Sequence, residues 1–140
     1  MSANLLARYH RLPKIRRAIL PRAVGTLVIA SAAISLLSFR KAIRIGSIAP
    51  KRRIGVSAED IVWAVEAASR RMPWRTVCLQ KGLAAQRMLR SAGYDAILHY
   101  GARHEPDSRD LEAHVWVTID DRPVMGGEGA AGFARVATFP

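Results

Sequence analysis

The stretch Pro73-Trp-Arg-Thr-Val-Cys78-Leu-Gln-Lys-Gly-Leu-Ala-Ala-Gln-Arg-Met-Leu-Arg-Ser-Ala-Gly93 carries the chain's one cysteine near what reads as the start of a helix. Pro73 is excluded from a helix interior, Thr76 is a good N-cap residue and Gly93 a good C′ residue, so the spacing predicts Cys78 in the first turn. The helix dipole and free N–H groups there favour a thiolate, and the same N–H groups suit a developing oxyanion. A single cysteine in a chain of this size is more often an inert, buried small hydrophobe, so position alone does not make it a nucleophile.

A partner for it follows 36 positions later, in Glu112-Ala-His114-Val-Trp-Val-Thr-Ile-Asp120. Ala113 to Ile119 alternates, which predicts a strand with Val115, Val117 and Ile119 on one face and His114, Trp116 and Thr118 on the other. A thiol followed by an imidazole is the order of a nucleophile and its general base.

Working outward, Ser57 caps a predicted helix over 58–71, with Asp60 at N3 and an apolar stripe of Ile61, Val62, Val65 and Ala68. The core positions of the cysteine helix are Leu79, Leu83, Ala84, Met88 and Leu89. After Gly93 the period changes to two. Ala96 to Ala102 reads as a strand, Arg103 to Asp110 as a polar loop, then comes the His114 strand, and Asp121-Arg122-Pro123 turns the chain into a short strand around Val124. Helices followed by antiparallel strands make an α+β domain.

Length fits one domain with an N-terminal extension: 1–53 a basic, partly apolar helical lead-in and 54–140 the catalytic domain. The net charge of +11 is wholly N-terminal. Residues 1–53 hold twelve Lys or Arg and no acid, whereas 54–140 hold ten basic and eleven acidic residues. The lead-in reads as a broken amphipathic helix interrupted at Pro13 and Pro21, followed by seventeen uncharged residues from Ala23 to Phe39. Seventeen is the lower edge of a membrane span, and the stretch is only moderately apolar, with cations at both ends. A helix packed in the core or on a partner, and one at a membrane surface, both fit; a cleaved signal fits poorly. One cysteine excludes an internal disulfide and a multi-cysteine zinc site and fits a reducing cytoplasm, with or without membrane association. No cofactor or metal is expected. Nucleic acid is not the expected partner, because the basic half has only Tyr9 and Phe39 as aromatics and no evident recognition helix.

Ile61-Val-Trp-Ala-Val65, Pro73, Cys78-Leu79, the Ala84-to-Gly93 stretch, Tyr100-Gly101, Ala113-His114-Val-Trp-Val117 and Asp121-Arg-Pro-Val124 together resemble the lasso-peptide biosynthesis B-type proteins, which are transglutaminase-like cysteine proteases. The resemblance covers about residues 57–128. It implies a papain-like α+β fold and removal of the leader peptide from a ribosomally made precursor, with Cys78 as nucleophile and His114 as base. It also implies two partners, an ATP-using cyclase and, because 1–53 is too short and strand-poor for a winged-helix-like leader-binding domain, a separate leader-recognition protein.

The third catalytic member is where the chain departs from that pattern. The family's aspartate position, twelve residues past His114, is Gly126. Asp120 shares His114's parity, but six strand residues span about 20 Å. With the turn centred on Asp121 and Arg122, hairpin register brings His114 near Gly129, which makes Glu128 the expected orienter; a backbone carbonyl is the other option. Competing functions are another acyl transfer or deamidation on the same fold, and a non-enzymatic basic module binding a membrane or partner. Single histidines and arginines elsewhere take plain readings: His10 and His104 exposed, His99 a strand residue near the core edge, and Arg70, Arg71, Arg87 and Arg90 solvated.

Overall fold

The computed structural model of the chain describes residues 2–74, 78–104, 106, 107 and 109–140. Among the described residues five α-helices, α1 (Ser2–His10), α2 (Lys14–Leu36), α3 (Phe39–Ile43), α4 (Ala58–Ser69) and α5 (Cys78–Ser91), precede the strands β1 (Ala96–His104), β2 (Leu111–Ile119), β3 (Arg122–Met125) and β4 (Ala134–Phe139). The strands form one antiparallel sheet in the order β3-β2-β1-β4. A 3-10 segment, Gly127–Gly132, separates β3 from β4. The class is α+β, with the α-helices ahead of the strands.

Local chemistry sets the helix ends. The Ser57 hydroxyl accepts the Asp60 N–H at 3.1 Å, as a capping serine should. α5 ends in a paired carbonyl closure: Tyr94 N–H donates to Leu89 and Gly93 N–H to Arg90. Gly93 has φ +99°, and a Cβ there would meet the Arg53 backbone at 2.5 Å, so conformation and space both require glycine.

The apolar lead-in is part of the core. Ile19, Ala23, Leu27 and Ala30 of α2 recur at helical spacing and pack in one cluster with Val65 of α4, Leu83 and Leu89 of α5, and Leu98, Val115 and Val117 of the sheet. The charge boundary at residue 53 is therefore not a packing boundary. Arg16 fastens the junction: its Nε lies 2.9 Å from Asp60 Oδ1 and its guanidinium 4.5 Å over the Trp63 ring. That hydrogen bond is the main reason the Asp60 carboxyl is held below its ordinary value.

Three local expectations need correction. Pro21 does not break the helix; it lies inside α2. Proline has no N–H for the carbonyl four residues earlier, that of Arg17, and the Tyr9 hydroxyl donates to that oxygen at 2.8 Å instead. The hairpin turn is centred on Asp120 and Asp121, one residue earlier than expected, with Ile119 paired to Arg122. Both aspartates have positive φ (50° and 63°), as a tight primed turn demands, and Asp tolerates that region. Arg90 is buried, not solvated. It donates to the Ala96 carbonyl at 2.9 Å, to Asp95 at 3.1 Å and to the Ile48 carbonyl, tying α5 to β1 and to the chain before α4.

Candidate active site

Cys78 opens the described part of α5, half-buried and with a free thiol, packed against the edge of the core. Thr76, its expected cap, lies outside the described residues. α5 runs antiparallel to β1. Gly82 rests against Val115 and Leu98, where an added Cβ would come within 2.6 Å and 2.9 Å of their side chains. One turn later, Gln86 Nε2 donates to the Ala96 carbonyl at 3.2 Å. At 1.5 Å per residue, Cys78 stands about 6 Å beyond Gly82, toward the sheet end at which Gly101 pairs with His114.

His114 lies on the other face of β2 from Val115, in regular register with β1, so its face is opposite the one on which Gly82 packs. Among the described residues no hydrogen bond joins Cys78 to His114. The imidazole is instead held from three sides. Its Nε2 is 2.7 Å from the Gly126 carbonyl, its ring stacks on Trp116 at 6.1 Å between centroids, and Phe133 packs on it at 5.2 Å. Gly129 closes over the ring, for a Cβ there would sit 3.2 Å from Nε2.

Further contacts extend the cluster. His99 also stacks on Trp116, at 5.4 Å, and the Arg103 guanidinium lies 4.4 Å over Phe133 while its Nε bonds Glu112 at 2.6 Å. His99 is buried, with Nε2 2.7 Å from Thr118 Oγ1. Burial first, then the positive field of Arg135, push its imidazole below the ordinary value, against an opposing pull from Asp121.

The Gly126 contact decides the tautomer of His114. A carbonyl only accepts, so Nε2 carries the proton and Nδ1 of the neutral ring keeps its lone pair. Of the two options for the position that orients His114, the Glu128 side chain and a backbone carbonyl, the carbonyl of Gly126 takes it. Glu128 does not fill it: the residue is exposed on the 3-10 segment and makes no bond to His114. Gly129 does lie against His114, as the hairpin register predicts, but β3 stops at Met125 after a register shift at Val117, Gly126 turns left-handed (φ 73°) into the 3-10 segment, and Glu128 is left exposed. Asp120 sits in the hairpin turn at the far end of β2 from His114, as the strand-length argument requires. Trp74 is exposed with its Nε1 3.2 Å from Ser31 Oγ on α2, and Trp116 is buried in the cluster. No group of three metal-ligating side chains converges among the described residues.

A transglutaminase-like superfamily model matches residues 5–138. The chain belongs to the transglutaminase-like superfamily. That match runs through the cationic helices as well as the sheet, in keeping with the shared core. No curated protein and no solved structure matches the chain. Transglutaminase-like proteins are typically cysteine peptidases or acyl transferases, and the α+β architecture with helices ahead of an antiparallel sheet fits that superfamily. Phe133 has no signal in the sequence as a site component; the nearness of Gly129 to His114 follows from hairpin register, and a backbone carbonyl is one of the two options for the orienting group.

Proposed function

We propose that this transglutaminase-like protein is a cysteine peptidase that removes the leader from a lasso-peptide precursor, with Cys78 as nucleophile and His114 as base. The observation that carries the reading is the superfamily match over residues 5–138 with the lone cysteine opening the described part of α5; His114 lies on the sheet face opposite α5, held through Nε2, with no hydrogen bond to Nδ1 among the described residues. Catalysis requires the thiol at the helix start to meet that nitrogen. Nδ1 takes the thiol proton as sulfur attacks the scissile carbonyl, and returns it to the departing amine of the core peptide. Water then attacks the leader acyl-thioester, giving the leader carboxylate and restoring the thiol. Helix N–H groups near Cys78 are suited to the tetrahedral oxyanion. A separate leader-recognition protein presents the precursor, and an ATP-using cyclase consumes the freed amine.

Mass spectrometry of a precursor incubated with the chain, the leader-binding partner and the cyclase tests this. Cys78→Ala and His114→Ala should each lower leader release by about a thousandfold or more while keeping the fold. Glu128→Gln should leave it unchanged, since the Gly126 carbonyl holds His114. Wild-type turnover in either of the first two variants would refute the pair. Cysteine-dependent transfer to an added amine, or loss of side-chain ammonia without chain cleavage, would assign a different acyl transfer to the same thiol.

A further inference from the structure

The geometry points to the outer face of α2 as a seat on an anionic lipid bilayer, with the helix lying in the plane of the surface. Its inner face is committed to the core: Ala23, Leu27 and Ala30 are fully buried, so the helix does not cross a bilayer without unfolding the domain, although by length and composition it is apolar enough to do so. Its outer face is exposed and apolar. Val24, Gly25, Val28, Ile29, Ala32 and Leu36 all face solvent, with Val28 42%, Ile29 54% and Leu36 82% exposed, and no charged residue occurs between Arg22 and Arg40. Leu37 and Phe39 extend the exposed apolar surface beyond the helix end.

Charge selects the occupant. The exposed cations Lys14 and Arg22 stand toward one end of this face, and Arg40, Lys41 and Arg44 follow the other, while no acidic residue occurs before Glu59. An apolar strip with cations at both ends and no anion matches acyl chains beneath acidic headgroups. A neutral apolar partner would leave those cations uncompensated.

Co-sedimentation of the full chain with vesicles of phosphatidylglycerol and phosphatidylcholine, against phosphatidylcholine alone, tests the assignment. The wild-type chain should bind the anionic vesicles about tenfold or more tightly than the neutral ones. Val28→Glu combined with Ile29→Glu should lose most of that binding at an unchanged thermal midpoint, and Arg40→Gln with Lys41→Gln should erode the preference for anionic lipid. Val136→Glu, an equally open apolar position on β4, should bind as wild type. Equal binding by the Val28/Ile29 variant would overturn the assignment, as would binding abolished wholly by salt. So would a lipid-free dimer that the same variant dissociates, for then a second copy covers the face. Cys78→Ala should bind vesicles normally, so the outcome is independent of the peptidase reading.

Discussion

α5 and α2 line the same core in opposite ways. α5 is enclosed nearly all round: Leu83, Ala84, Ala85 and Leu89 are fully buried, and so is Gln86, whose Nε2 also donates to the Phe139 carbonyl at 2.7 Å. α2 buries one stripe and leaves the opposite one open. A helix held on every side along its middle turns is committed wholly to the core. A helix held on one side can stabilise the fold and still offer a surface.

The contrast is broken or sharpened by substitutions of graded effect. Leu83→Ala in α5 and Leu27→Ala on the inner face of α2 should each cost about 2–5 kcal/mol in urea unfolding, whereas Val28→Ala on the outer face should cost under about 0.5 kcal/mol. A Leu27 variant as mild as the Val28 variant would mean that α2 is an appendage after all. Next in size is Tyr9→Phe, which leaves the Arg17 carbonyl without the donor that replaces the missing Pro21 N–H; a loss of about 0.5–1.5 kcal/mol is expected in the same assay. No loss would show that water serves that oxygen equally well.

The smallest effect belongs to pH. Burial keeps the His99 imidazole neutral in the fold below its ordinary value of 6.5. Above that value folded and unfolded chains are both neutral there, and His99 adds nothing to the pH dependence. As pH falls through it the unfolded chain takes up the proton first, so stability declines until the lower folded-state value is passed. Thermal midpoints measured from pH 7.5 down to pH 5 should fall in the wild type and fall less steeply in His99→Asn. Parallel curves for the two proteins would remove His99 as a source of the slope.

The elements with local signatures were legible in the chain: the Ser57 cap, the Gly93 closure, and the alternation that marks β1 and β2. Cys78 at a helix start and His114 on a strand came from residue type and period. β4 escaped because Ala134–Phe139 is an edge strand with little burial and so shows no alternation. Pro21 misled because its missing bond is repaired from α1, twelve residues away in sequence, and Arg90 because its partners are main-chain oxygens at Ile48 and Ala96. The seventeen uncharged residues left two placements open; the buried stripe answers for one side of the helix. A backbone carbonyl is one of two readings open for the group that orients His114, and no residue type chooses between them.

That last feature has a genetic consequence. The group holding the imidazole is an atom that every amino acid carries, so no substitution at 126 deletes it. Substitution there acts by another route, because the left-handed backbone and the Val115 carbonyl, 2.7 Å from where a Cβ would stand, both disfavour any side chain. A substitution at position 126 therefore registers as a loss of folded protein, and an alanine scan leaves the carbonyl that holds His114 in place.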